Sequence, residues 1–243
     1  MKKIILSFFI VASLFFNLRA DEGMWIPMLL QNNEQEMQEM GMNITVEDIY
    51  SINHSSMKDA VVLFDGGCTG EIVSDQGLLL TNHHCGFDWI QYHSTVEHDY
   101  LTHGFWAMSK EEELPCPGIS AVMLKSMEDV TERVLEGVTK ETSNDERAEI
   151  VTANIKKIKE EAEANSDYQV IIKSFYHGNK YYMIYNEVFK DVRMVGAPPS
   201  NIGKFGGDTD NWVWPRHTGD FSVFRIYVSP DGKAADYSED NVP

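Results

Sequence analysis

The sequence predicts a mainly β protein: a β-barrel built from a meander of short strands, with one amphipathic helical insertion over residues 127–165. Three observations carry this. Apolar runs at 60–64 and 71–80 are separated by Gly66, Gly67 and Gly70 and broken by a turn-forming Asp75-Gln76-Gly77. Strand character resumes at 169–175, 181–189 and 221–228. Between them the chain turns densely charged, with Val151, Ile155, Ile158 and Ala162 at the four-three-four spacing of one helical face.

From the N-terminus, Lys2 and Lys3 precede an apolar run from Ile4 to Phe16, and Ala20 closes the segment. This is the pattern of a secretory signal peptide over residues 1–20, cleaved after Ala20, and it implies a periplasmic or secreted protein. The run falls short of the ~20 apolar residues of a membrane span. A Met-rich lead-in follows, in which Met28, Leu29 and Leu30 are expected to be core contacts and Asn43 or Thr45 to cap a short helical turn through Tyr50. The first strands come next. The helix is expected to start at a capping box of Ser143 and Glu146, to stop at Asn165 and to cover the barrel. His177-Gly178-Asn179-Lys180 reads as the hairpin turn between the next two strands, and Pro230-Asp231-Gly232 ends the last one.

Charge excludes some partners. With residues 1–20 removed, Lys2, Lys3 and Arg19 go, leaving 17 basic against 38 acidic residues, so the net charge moves from −18 to −21. A field of that sign repels phosphate backbones and anionic lipid, so neither nucleic acid nor a membrane surface is an expected partner. In an oxidising compartment, Cys68, Cys85 and Cys116 imply one disulfide and an odd thiol, and Cys68 with Cys85 is the expected pair.

The chemistry concentrates in two segments. The first, from Gly66 to Cys85, ends Thr81-Asn82-His83-His84-Cys85, with a histidine directly before a cysteine at the end of an apolar strand. Two adjacent histidines beside a cysteine fit a general base, metal ligands or plain packing. A metal site is disfavoured, because neighbours on a strand point to opposite faces; no metal and no cofactor is expected. Chymotrypsin-like peptidases hold their catalytic histidine in a similar Thr-x-x-His-Cys setting, and by that likeness His84 is the general base.

The second segment, Gly203 to Phe221, crowds Trp212, Trp214, Pro215 and His217 into a polar, glycine-rich loop. Ordering such a loop costs backbone entropy, which points to a site. Asp220 is placed to accept from the other nitrogen of His84 and hold its tautomer. A calcium loop of Asp208, Asp210 and Asp220 competes, but lacks the closing glutamate of an EF-hand and is crowded by tryptophans.

Asp21-Glu22-Gly23-Met24-Trp25, Gly67-Cys68-Thr69-Gly70-Glu71, Thr81-Asn82-His83-His84-Cys85-Gly86, Gly104-Phe105-Trp106-Ala107 and the run from Ile202 through Phe221 together closely resemble the bacterial dipeptidyl-peptidase 7 and 11 family. The resemblance implies a serine exopeptidase that releases dipeptides from peptide N-termini. Its fold would be a chymotrypsin-like double β-barrel, of which residues 21–243 hold the first barrel and part of the second. It implies His84 as general base, Asp220 as its orienting acid, Asn211 and Trp212 as receptors of the substrate's α-amino group, and Cys68–Cys85 as the disulfide. An amide beside an indole face suits an ammonium through a hydrogen bond and cation–π attraction. Homodimers are implied for full-length members.

The departure lies in length. Family members run several hundred residues longer and carry their nucleophile in a Gly-x-Ser-Gly-type motif far downstream. Here Ser200 follows Pro198-Pro199 and Ser222 lies within the last strand, neither flanked by glycines. The expectation is the N-terminal portion of such an enzyme, inactive alone, with the substrate's side-chain preference written elsewhere. The alternatives are a non-catalytic periplasmic module that binds peptide amines, and a metal-binding structural protein using His83, His84 and Cys116.

Overall fold

The computed structural model describes residues 25–205 and 218–243. The signal-peptide segment, Asn211 and Trp212, and the Asp208 and Asp210 of the calcium alternative lie outside them. The chain divides into two compact units at Asn43/Ile44.

In the first unit, Pro27 opens a 3-10 helix, Pro27–Asn32, where its missing N–H is no loss. α1 (Glu34–Glu39) follows and carries a Gln35-to-Glu39 side-chain hydrogen bond across one turn. The buried apolar residue is Ile26. Leu29 is exposed and Met28 and Leu30 only half-buried, so the expected core role of these three fails: a 3-10 turn spreads consecutive residues around its axis and cannot bury three in a row.

The second unit begins with α2 (Val46–Ile49), capped by Thr45 in a reciprocal capping box with Asp48. The strands are β1 (Val61–Phe64), β2 (Cys68–Ile72), β3 (Leu78–Thr81), β4 (Phe105–Trp106), β5 (Leu114–Pro115), β6 (Ala121–Asp129), β7 (Gln169–Phe175), β8 (Lys180–Phe189), β9 (Asp191–Ala197) and β10 (Ser222–Tyr227). They form one sheet in the order β4-β9-β10-β3-β2-β1-β6-β8-β7, with β5 also on β9. Every pairing is antiparallel.

One core packs against this sheet, drawing Phe64 from β1, Leu79 from β3, Ala121 from β6, Phe189 from β8, Met194 from β9 and Phe224 from β10. Strands from both halves of the path therefore share a single interior. β8 and β9 are separated by Lys190 alone, yet no ladder joins them or the end strands, so among the described residues the sheet does not close. The antiparallel, mainly β expectation holds; the closed barrel is not seen.

The helical insertion is shorter than expected. Residues 127–129 finish β6, which pairs with β8 as far as Asp129↔Tyr182. After α3 (His83–His93) and α4 (Tyr100–His103), the helices of the insertion are α5 (Thr131–Val134) and α6 (Asn144–Glu163). Ser143 and Glu146 make the predicted capping box, and Val151, Ile155, Ile158 and Ala162 all pack inward. Their partners are Val170, Tyr181 and Met183 of the β7–β8 hairpin, so α6 builds a second apolar cluster of its own and does not cover the first core. Arg147 of α6 donates to the Gly178 carbonyl at 2.6 Å, tying the helix to the hairpin turn. In that turn Tyr176 and His177, the two residues before the expected Gly-Asn pair, have positive φ, as does Gly178 within it.

The turn at Asp75-Gln76-Gly77 forms as predicted. Gly77 has φ +66° and lies so close to the Ile226 carbonyl that a Cβ would collide with it, which fixes both the turn and the approach of β10.

Candidate active site

β3 ends at Thr81, whose hydroxyl donates to the Thr69 carbonyl of β2 at 2.8 Å. Asn82 then opens α3 (His83–His93). The histidine pair therefore begins a helix and does not end a strand, which corrects the sequence reading. The apolar run stops at Leu80, and Asn82 with extended backbone is a favourable residue to start a helix. On a helix two neighbours diverge by about 100°. His83 accordingly turns inward and is fully buried, whereas His84 turns out, with its side chain 43% exposed.

Across from α3, Ser222 of β10 pairs with Thr81, so the residue two before Ser222 falls beside the start of the helix. That residue is Asp220. Its Oδ2 lies 2.8 Å from His84 Nδ1, and its Oδ1 accepts from the His84 backbone N–H at 3.0 Å. Asn82 Nδ2 bridges to the Asp220 carbonyl at 3.2 Å and to Oδ2 at 3.3 Å. The carboxylate thus takes up one of the unpaired N–H groups of the helix's first turn, where the helix dipole favours negative charge.

The orientation follows from these contacts. A carboxylate can only accept, so the His84 proton sits on Nδ1 and Nε2 is left as the lone-pair nitrogen. No described residue hydrogen-bonds to Nε2. The imidazole is held through Nδ1 on a side chain that is 43% exposed.

Two features hold α3 in place. Cys68 of β2 and Cys85 form a disulfide with their Cα atoms 6.1 Å apart, as expected, but the bond ties a strand to a helix and not two strands. Gly86 lets the helix lie on β10: a Cβ there would strike the Ser222 hydroxyl and the Phe224 ring. Ser222 Oγ is already committed, donating to the Asn82 carbonyl at 2.8 Å.

Among the described residues, the grouping with metal-ligand spacing is Cys68, His84 and Cys85. Its two sulfurs are bonded to each other, which removes the thiolates a metal would need. His83, His84 and Cys116 do not come together. Cys116 is buried in the first core, its thiol directed at the Leu114 carbonyl and pushed up to about 12 by burial.

The structure brings together His84, Asp220, Cys68 and Cys85 of the residues singled out from the sequence; Asn211 and Trp212 lie outside the described residues. Asn82 had no role in that reading, although it stands directly before the His-His-Cys run. Its amide reaches a residue 138 positions away, a contact no local pattern announces.

The chain matches Peptidase S46 over residues 20–243. It is 56% identical over 222 residues to an Asp/Glu-specific dipeptidyl-peptidase of Flavobacterium psychrophilum, covering 91% of this chain and 31% of that protein. It is 51% identical over 229 residues to dipeptidyl-peptidase 7 of Porphyromonas gingivalis, covering 93% and 32%. A crystal structure of Porphyromonas endodontalis DPP11 superposes with a TM-score of 0.81 at 49% identity, covering 92% of this chain and 32% of that one. The chain spans about a third of the length of the relatives it matches. Its share of that match, from position 20 to 243, is enough to place it: the chain belongs to the peptidase S46 family.

Proposed function

We propose that this chain supplies the base and orienting acid of a serine-type dipeptidyl-peptidase that releases dipeptides from peptide N-termini. The observation that carries the reading is the His84 Nδ1–Asp220 Oδ2 contact of 2.8 Å with Nε2 left open. In this reading His84 takes the proton of a serine hydroxyl through Nε2 and returns it to the leaving amine, while Asp220 holds the tautomer and stabilises the imidazolium. The serine is assigned to the part of the relatives' length that this chain does not match, on a second barrel completing the fold. Asn211 and Trp212 receive the α-amino group of the substrate. The segment 1–20 directs export, which places the working enzyme in the periplasm or outside the cell; among the described residues no helix is long and apolar enough to cross a membrane.

The substrate's side-chain preference is assigned elsewhere in the enzyme. The chain is 51% identical both to an Asp/Glu-specific dipeptidyl-peptidase and to dipeptidyl-peptidase 7 of the same organism, Porphyromonas gingivalis.

A chimaera tests the proposal. Replacing the matching third of the Flavobacterium psychrophilum relative by this chain should give an enzyme that releases fluorophore from N-terminally free dipeptidyl substrates with Asp or Glu before the scissile bond. N-terminally blocked substrates should be resistant, and the 243-residue chain alone should turn over neither. A folded chimaera without activity, or serine-reagent-sensitive turnover by the chain alone, overturns it.

A further inference from the structure

His83 has no part in the chemistry above, yet it is fully buried beside the working pair. Neither ring nitrogen has a hydrogen-bond partner among the described residues, so polarity does not account for its place. Its contacts do. Pro198 and Gly203, at the two ends of a segment that finishes in the single turn α7 (Ser200–Gly203), lie against the ring. Gly203 presses on the imidazole so closely that a Cβ there would overlap Cγ, Cδ2 and Nε2. The adjacent Ile202 carbonyl accepts from the Gly219 N–H at 3.0 Å, and Gly219 likewise leaves no room for a Cβ against Ile202. Gly219 precedes Asp220, and Asp220 returns to His84.

These contacts close a ring. His83 bears on Gly203, Ile202 holds Gly219, Asp220 holds His84, and His84 follows His83 in the chain. We propose that His83 is a positioning residue, a flat buried wedge that seats α7 and through the Ile202–Gly219 bond sets where the Asp220 carboxylate meets His84. The inference rests on the reading of His84 and Asp220 as the working pair and names what holds that pair together. The groups that face the ring are Asp220, Lys204 and His84, with the Pro198 carbonyl; burial is the largest influence and lowers the pKa of the ring, outweighing the Asp220 carboxylate and the Pro198 carbonyl, which favour the imidazolium.

The His84 backbone amide is the reporter. As a first-turn N–H of α3 it has no partner within the helix, so its protection from hydrogen exchange comes from Asp220 Oδ1. In the 243-residue chain, His83→Ala and Gly203→Ala should each speed exchange of that amide by about tenfold or more, while amides of the β3–β10 ladder keep their rates. The double variant should exchange no faster than the faster single one, because both remove the same contact. Unchanged His84 exchange in both single variants, acceleration shared equally by the ladder, or multiplicative acceleration in the double variant would each overturn the inference. The measurement uses no substrate, so it fails or succeeds apart from the peptidase reading.

Discussion

Two polar constellations flank β10, and they are finished differently. At the start of the strand, Asp220 holds His84 from one side and leaves Nε2 open on a side chain 43% exposed. Beside the rest of the strand, Asp191, Arg193, Glu113 and Arg225 are paired with one another and with nearby donors and acceptors. Arg193 lies in a two-pronged bond to Asp191 at 3.0 and 2.8 Å, donates to the Ser238 carbonyl at 2.9 Å, and has its guanidinium 3.7 Å from the centre of the Tyr227 ring. Asn241 supplies a further donor to Asp191 at 2.9 Å. Glu113 takes Arg225 on one oxygen and the Tyr227 hydroxyl on the other, at 2.8 and 2.9 Å.

The same residue types thus do two jobs. Asp191 and Glu113 are buried, and both oxygens of each accept from arginine, asparagine or tyrosine donors. Burial and the Glu113 carboxylate push the Tyr227 hydroxyl up, which keeps it protonated and donating. Asp220 is nearly buried but its histidine is not, and one nitrogen is left without a described partner. Among the described residues, the two constellations differ in that unpartnered nitrogen, not in the presence of charge.

Breaking the closed side should cost the most stability. Asp191→Ala strands Arg193 and should lower unfolding free energy by about 3–5 kcal/mol, read from the urea midpoint, with the His84 amide still protected. If that amide lost protection too, the two constellations would be one. Next comes Cys68→Ser with Cys85→Ser: opening a link across a sequence separation of 17 should cost ~3 kcal/mol by loop entropy. Here the effect falls on the reactive side, since Cys85 adjoins His84. A smaller loss, ~1–3 kcal/mol, is expected for Tyr227→Phe, which removes one donor from a buried carboxylate.

The smallest effect is a slope. Burial lowers the pKa of His83 below its usual value near 6.5. The unfolded chain therefore takes up a proton that the folded chain resists, and stability falls as pH drops below about 6.5 toward the folded value. His93, also lowered by burial, adds to the same trend. His83→Phe should flatten the dependence of the thermal midpoint between pH 7 and pH 5 and leave the His93 share; an unchanged slope would mean that His83 is not held neutral.

Elements whose reasons are local were legible in the sequence. The Ser143–Glu146 cap, the inward face of α6 and the Gly77 turn depend on neighbours within a few residues, and each formed as read. β6 and β9 were not legible. β9 carries Asp191 and Arg193 inside a strand, and these charges are tolerable only because Asn241 and the Tyr227 ring arrive from 50 and 34 positions away (241 − 191 and 227 − 193). β6 serves two cores in turn, its Ala121 in the first and its far end beside the second, so it shows no clean alternation. At the site, His84 and Asp220 were found because their flanking residues resemble a family, and they meet across 136 positions. The strand-to-helix switch at His83 was missed, and with it the reason one histidine faces in and the other out.

The central claim is that the His84–Asp220 pair does the proton transfer. Its most direct test is turnover by the chimaera carrying His84→Ala or Asp220→Asn, measured beside the unaltered chimaera with the thermal midpoint as a control for folding. The account predicts that kcat falls by about 10⁴-fold in each while the protein stays folded. Either variant keeping turnover within a few fold of its parent would contradict it.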